Sequence, residues 1–438
     1  MNFQQFWRAA SGLRLSDVAS LPLFLGWFAA ALFVPAEALA QPEVLTRGWL
    51  IAEVLEKNPT AESARQAWQM ALAREPQVTA LADPMVTYES APRTIGSDHG
   101  YGQVVRLSQR FEWPGKQALR GTITRASAAA LKADLEQVRL DLALTASMLF
   151  DSHYVAQRAG EINAAHTAIV HRLQQSAEAQ YAAGRASQHD PLQAEVELAL
   201  LERQRLSILA RQQVLMAQLN GMLHRQPTAE LPTLPASLSA APEQAYGTDW
   251  DVRALAERPE LVASTHHIEA RQNSVSLAQR AYLPDFTLGG TYNSMWPAPE
   301  HQFMLGLSAN IPIQLGAKRG AVDEANAALA RAKADHAQQL IAVRVELREA
   351  RIHLVEALAQ AKLYTDRILP TARRQVAAAE AGYQSGRDSF SDIMVAERQL
   401  RTFEQEYEEA LANTWSQQAL FNRATGLPPE STTKKGAQ

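Results

Sequence analysis

The 438-residue sequence contains no cysteine. That excludes a disulfide framework, thiol catalysis and cysteine metal ligation, and it leaves the redox compartment open. A basic surplus is missing too: 42 Lys+Arg against 46 Asp+Glu leave a formal charge of −4. A nucleic-acid binder usually carries a basic face, so nucleic acid is not an expected partner. There is no nucleophile elbow, phosphate loop or zinc motif, and the chain reads as a non-enzyme with no cofactor. Metal ligation has little to work with. Of 11 histidines only His266-His267 are adjacent, and neighbours on a helix point about 100° apart, so they chelate poorly. They read as helix surface, His336 and His353 as helix-seam or interface residues, and Glu408-Glu409 as solvated charge.

Long apolar runs are also scarce. The one candidate, Leu21–Val34 (LPLFLGWFAAALFV), follows Arg8 and Arg14 and precedes Ala38-Leu39-Ala40. A basic start, a short apolar core and a small-x-small site make a secretory signal peptide, cleaved after about Ala40. The competing reading is an N-terminal anchor, but the run is short for a spanning helix and is interrupted by Pro22 and Gly26. With no cysteine after the cleavage site, a lipid anchor is not available there. The mature chain is therefore expected outside the cytoplasm: in the periplasm, in the medium or in a β-barrel, whose alternating strands escape hydropathy scans.

What is present is a duplication. YAAGRASQHD (Tyr181–Asp190) recurs as YQSGRDSFSD (Tyr383–Asp392). Tyr181, Gly184, Arg185, Asp190, Ala194, Glu195 and Asn220 recur at Tyr383, Gly386, Arg387, Asp392, Ala396, Glu397 and Asn422, each 202 residues on. Upstream the offset is 200, pairing Pro59 with Pro259, Pro84 with Pro284 and Ser108 with Ser308. The two-residue drift falls near WPGK and QLGAK. The organisation is a signal peptide (1–40), repeat one (41–226), a Pro-rich linker (227–250), repeat two (251–427) and a loose tail (428–438). Each repeat orders a helix (near 44–80 and 252–282), a β-hairpin, a long helix (near 116–181 and 318–383), the Tyr-x-x-Gly turn and a returning helix (190–223 and up to about 424).

In the long helices, Leu340, Val343, Leu347, Ala350, Leu354, Ala357 and Ala361 alternate steps of three and four, as do Leu131, Leu135, Val138 and Leu142. That spacing makes a narrow apolar seam for another helix. Pro370 predicts a kink or local unwinding in the second long helix.

The strands alternate. Val105, Leu107, Phe111 and Trp113 face one way against Arg106, Ser108, Arg110 and Glu112; Phe286, Leu288 and Tyr292 oppose Thr287, Thr291 and Asn293; Phe303, Leu305, Leu307, Ala309, Ile311 and Ile313 oppose Gly306, Ser308 and Asn310. Val86–Tyr88 begins a weaker strand. A half-buried sheet would look similar. However, four strands with open edges cannot stand in lipid, so in a membrane they need other copies for closure; three chains would supply twelve.

These features resemble the TolC family of outer-membrane efflux channels over about Val44–Leu427. The resemblance rests on the Asn58-Pro59 and Arg258-Pro259 helix starts, the paired hairpins and long helices, and both Tyr-x-x-Gly motifs. It implies a mainly α fold with a small β part: a homotrimer whose twelve-stranded barrel sits in outer-membrane lipid and continues as a long α-helical barrel across the periplasm. It implies a passive exit duct, partnered by a periplasmic adaptor and an inner-membrane RND-type transporter. WPGK and ILPTARRQVAAAEAGYQSGRDSFSDIM are similar to the heavy-metal branch of CzcC- and CusC-like proteins, which implies metal cations as cargo; general drug efflux and type I protein secretion are the alternatives. The family marks the periplasmic tip with the Tyr-x-x-Gly motif, here Tyr181, Gly184, Arg185 and Asp190, and Tyr383, Gly386 and Arg387. Related channels carry an acidic constriction ring on the returning helix, where Asp392 stands; a plain helix-start acid is the other reading of Asp392. Val395 occupies the place of a possible second ring. Asp388, also a constriction candidate, takes the position of a basic residue in the family's tip lock, with Arg387 one residue earlier. Lipid-facing positions are expected at Val105, Leu107, Phe111, Trp113, Phe286, Leu288, Phe303, Leu305, Leu307 and Ile311.

Overall fold

The computed structural model describes residues 44–92, 101–241, 250–296 and 298–427. The expected signal peptide and tail, and residues 242–249 of the expected linker, lie outside the described residues. The spine is α3 (Lys116–Ala182), 67 residues long, or roughly 100 Å at about 1.5 Å per residue. Around it lie α1 (Arg47–Lys57), α2 (Pro59–Thr79), α4 (His189–Met222), α6 (Pro259–Arg280) and α9 (Phe390–Thr425). The short α5 (Trp250–Glu257) leads into α6, and α7 (Leu315–Leu363) and α8 (Leu369–Gln384) pack against α9. No helix among the described residues is long and apolar enough to cross a membrane.

Each repeat's first helix, expected as one piece, is two. The breaks fall at Asn58 and Arg258, both in extended backbone before a proline. Proline lacks the N–H that would continue the first helix, while its fixed φ suits the first turn of the next. The two residues do equivalent work. Asn58 Oδ1 accepts from Thr60 N at 2.9 Å and its Nδ2 donates to Met222 O at 3.0 Å. Arg258 Nη1 donates to Ala424 O at 3.2 Å, 202 residues beyond Met222. Both close the carbonyl end of a returning helix.

Pro370 goes with local unwinding of the long helix, as expected. A π-turn at Tyr364–Ile368 precedes it, and α8 carries on with Pro370 in its first turn. The wider turn takes up the hydrogen bond that proline cannot make.

The expected seam is buried: Val343, Leu347, Ala350 and Leu354 pack with Leu261, Phe421 and Ala424. A second apolar row, Ile341, Val345, Ile352, Val355 and Leu363, runs along the opposite face of α7 and is exposed. Helix α4 is two-faced in the same way, burying Ala194, Leu201, Leu215 and Leu219 while exposing Leu192, Val196, Leu200 and Val214.

The linker up to Ala241 is laid along the helices. Leu45 N donates to Thr233 O at 2.7 Å, and Ala241 N to Thr414 Oγ1 at 2.9 Å. Leu231, Leu234 and Leu238 cover a cluster of Leu50, Val54, Phe150 and Leu219. Arg47 lies between the rings of Phe150 and Trp415, 4.9 and 4.4 Å from their centres, and pairs with Asp151.

Candidate channel surfaces

The four strands β1 (Met85–Ala91), β2 (Gly102–Phe111), β3 (Phe286–Asn293) and β4 (Phe303–Ala309) form one antiparallel sheet in chain order. Its central pair, β2 with β3, joins the two repeats. Directly paired residues share a face, so the register sorts the side chains. One face carries the rows Tyr88-Val105-Tyr292-Phe303, Val86-Leu107-Gly290-Leu305, Gln109-Leu288-Leu307 and Phe111-Phe286-Ala309. The other carries Thr87-Arg106-Thr291-Met304, Met85-Ser108-Gly289-Gly306 and Arg110-Thr287-Ser308. Eight of the ten lipid-facing candidates thus share one face. Trp113 and Ile311 lie beyond the ends of β2 and β4, because the chain there turns toward α3 and α7. Aromatic pairs stand at both ends of the apolar face: Tyr292 with Phe303 at 5.0 Å, and Trp113 with Phe286 at 5.6 Å. Such girdles flank the apolar band of outer-membrane strands. The apolar face is open, with Leu305 90% exposed, and neither β1 nor β4 has an outer partner strand among the described residues.

Where β2 becomes α3, WPGK builds a polar joint. Gly115 has φ 90°, a conformation costly for any side chain, and a Cβ there would run into the Arg280 guanidinium. Lys116, buried, donates to Asp285 Oδ1 at 2.8 Å and Leu283 O at 2.9 Å. Asp285 also accepts from Trp113 N at 3.0 Å and Arg110 Nη2 at 2.9 Å. Burial alone would raise the Asp285 carboxyl; these donors outweigh it and hold the pKa at about 2.

At the far end of the long helices both Tyr-x-x-Gly motifs end a helix with the same backbone. Gly184 (φ 68°) and Gly386 (φ 69°) are left-handed. Arg185 N reaches back to Gln180 O, and Arg387 N to Gly382 O, each at 2.9 Å. This is the glycine stop that satisfies a helix's last carbonyls.

The side chains differ. Asp392 closes a capping box, its Oδ2 accepting from Ser389 N at 2.9 Å and Ser389 Oγ at 2.7 Å. The Ser389 hydrogen bonds hold its carboxyl below the usual range. Asp392 is exposed at the helix start, so the constriction candidate is also a capping acid. Asp388 lies over Gly382, whose Cβ, if present, would fall 1.8 Å from Asp388 Oδ2. Asp190 instead faces Tyr383, whose hydroxyl stands 3.5 Å from Oδ2. Tyr383 packs edge-on against buried Phe390 at 5.6 Å. Tyr181 and Arg185 are exposed, and Arg387 Nε donates to Ser385 Oγ at 3.0 Å.

Above the turns, polar groups interrupt the seam between α3 and α9. His166 is buried, with Nδ1 3.1 Å from Glu397 Oε2 and Nε2 3.0 Å from Glu404 Oε2. Burial would lower the imidazole pKa; the two carboxylates outweigh it and push it up to about 9. Arg373 of α8 also reaches Glu404, and Arg398 and Arg401 converge on buried Glu197 of α4. Glu408, expected as solvated charge, is buried and bonded to Tyr154 Oη and Arg158 Nε, both at 2.9 Å. The signal was available: His166 stands four residues from both Ile162 and Val170, at an apolar seam position. His336 bonds Ser264 at 2.7 Å, and His353 is exposed. No cluster of three His, Asp or Glu among the described residues is arranged to hold a metal ion.

Residues 250–427, the whole second repeat, match the family model described as "Outer membrane efflux protein". That repeat is similar to outer membrane efflux proteins. The chain is 23% identical over 316 residues to the cobalt-zinc-cadmium resistance protein CzcC of Cupriavidus metallidurans, covering 72% of this chain and 75% of the relative. Three solved structures extend the likeness of fold to the first repeat. CusC has a TM-score of 0.76 at 16% identity, over 86% of this chain and 91% of its own. The outer membrane protein VceC of Vibrio cholerae gives 0.73 at 18%, over 88% and 97%. A membrane protein from Pseudomonas aeruginosa gives 0.78 at 16%, over 89% and 92%. The likeness of fold to these solved structures thus covers both repeats.

Proposed function

We propose that three copies of the chain form a twelve-stranded barrel continued by a helical barrel, the passive exit duct of a tripartite pump for heavy-metal cations. The observation that carries this reading is the four-stranded sheet, apolar on one face, polar on the other, and unpaired at both edges. Lipid offers no partner for an open edge, and water does not favour such an apolar face, so the sheet calls for further copies. The exposed second seams of α4 and α7 support the same assembly, because every helix in a closed helical barrel needs a neighbour on each side.

An adaptor and an inner-membrane transporter are the expected partners, since the channel has no energy source of its own. Metal cargo is supported by the likeness to the resistance protein CzcC. The fold does not separate cargoes, because channels of several systems superpose about equally well. The turns around Gly184 and Gly386 would form the periplasmic tip, and Asp392 the acidic ring, three carboxylates around the pore.

The test is growth of a deletion strain across copper, silver, zinc, cobalt, cadmium, detergents and dyes. Sensitivity confined to metals is expected and would name the ion. Broad sensitivity to detergents and dyes would replace the metal reading with a general drug duct.

A further inference from the structure

We infer that Arg106 sets the ion preference of the barrel: three copies of its guanidinium make a basic ring on the inner wall, which favours small anions and disfavours free cations. The inference rests on the barrel reading above and adds the sign of the charge inside it. Arg106 stands midway along β2 on the polar face, in the row Thr87-Arg106-Thr291-Met304. With the apolar face toward lipid, that face lines the lumen. The Arg106 side chain is exposed, and a guanidinium stays charged at every working pH. The next row toward the helices is Met85-Ser108-Gly289-Gly306. Its two glycines and serine leave Arg106 standing clear of the wall.

Neighbouring charges do not cancel it. Arg110 and Lys116 pair with Asp285, and Arg120 with Glu112, all at the end of the strands nearest the helices. Glu89, opposite Val104, lies diagonally across from Arg106 at roughly 7–8 Å, and neither makes an ion pair among the described residues. The outer end of the sheet adds a second observation. A Cβ on Gly102 would run into Met295, and Val104 is buried although it lies on the polar face. Gly102 belongs to the same face, opposite Ala91, so the connection from β3 to β4 bends over the inner wall. Backbone bonds hold it there. Gln103 N donates to Ser294 Oγ at 2.8 Å, Ser294 N to Gln103 O at 3.0 Å, and Met295 N to Asn293 Oδ1 at 2.9 Å. Arg106 is the first cation below this lip among the described residues. Rings of arginine in a pore favour anions. Selection for cargo cations then lies at the glycine turns, away from the barrel.

The test uses the full-length chain in planar bilayers under a potassium chloride gradient. Arg106→Gln should move the reversal potential toward potassium, and Arg106→Glu further. The potassium-to-chloride permeability ratio should rise roughly twofold or more at ~0.01 M salt, where a charge is felt over about 30 Å, and hardly at ~1 M, where it is felt over about 3 Å. Glu89→Gln should move the potential toward chloride. An unchanged potential in both Arg106 variants would overturn the inference. So would a shift toward potassium in Glu89→Gln, because pore shape rather than charge would then be read. The absence of cysteine gives a second readout. Thr291→Cys, directly opposite Arg106, should favour an anionic over a cationic methanethiosulfonate, relative to a small thiol in solution. Adding Arg106→Gln should erase that preference; the same preference with and without Arg106 would also overturn the ring. Val105→Cys, on the apolar face, should react with neither reagent in membranes. A reactive Val105→Cys with an inert Thr291→Cys, or a chain that stays monomeric and conducts nothing, would overturn the barrel reading itself.

Discussion

The two Tyr-x-x-Gly turns share a backbone and divide the work. In the second, Phe390 is buried, Tyr383 lies on it, and Asp392 is spent on capping its own helix. In the first, Gln188 stands at the Phe390 position, Tyr181 is exposed, and Asp190 reaches the second turn through Tyr383. Duplication supplies two copies of a helix stop; what the second copy adds is the apolar anchor that binds them together. The same division runs up the helices. His166 of α3 meets two acids of α9, while the position 202 residues on, Ile368, lies in the π-turn. At the end of the returning helices, Gly426 and His224 hold the same left-handed conformation, φ 69° and 55°.

Truncation should separate the turns most sharply. Phe390→Ala should cost about 3–5 kcal/mol, the usual range for a buried phenylalanine, with Gln188→Ala near zero; chemical denaturation in detergent reads both. Equal costs would mean that the anchor is not Phe390.

His166→Leu should follow, at about 3–5 kcal/mol, because it leaves Glu397 at a buried interface without its cation, while Glu404 keeps Arg373. The pH dependence has a definite sign. The folded imidazole titrates at about 9, above its unfolded value of about 6.5. The stabilisation is therefore complete below pH ~6.5 and lost as pH rises through about 9. A melting temperature that falls across that window in the parent, but not in His166→Leu, is the expected result. The Lys116–Asp285 joint has the opposite sign. Its carboxyl is depressed to about 2, so its contribution is present above pH ~3.9 and fades as pH falls through about 2.

Smaller effects should come from the left-handed positions. Gly426→Ala should destabilise by about 1–2 kcal/mol, since a Cβ there would also press on Arg258 Cα at 3.4 Å. His224→Gly should be neutral or stabilising by up to about 1 kcal/mol. Smallest is Tyr383→Phe, which should cost under about 1 kcal/mol, because the hydroxyl stands 3.5 Å from Asp190. Tyr181→Phe should cost nothing measurable. In planar bilayers, Asp392→Ala should weaken multivalent-cation block; unchanged conductance and block would remove Asp392 from the pore.

Much of this was legible in the sequence because it is periodic. Heptad spacing gives a helix and its buried face, alternation gives a strand, and Tyr-x-x-Gly gives a helix stop, each set by local backbone geometry. The duplication shows in the chain because its two copies keep nearly constant spacing. The helix starts at Asn58-Pro59 and Arg258-Pro259 were legible, but the separate short helix before each was not, since one proline leaves the apolar period on both sides intact.

The sequence by itself determined the long helices, the two-faced strands, the glycine turns and the order of elements, all of which depend on residues within a turn or two of each other. Only the tertiary structure decided that α7 and α4 each carry a second, unpaired seam, and that Glu408 is buried against Tyr154 and Arg158. It alone decided that Asp190 and Asp392, identical in the motif, face different partners. Those outcomes depend on residues about 200 positions apart meeting across helices, and no local spacing encodes which side chain waits on the other side.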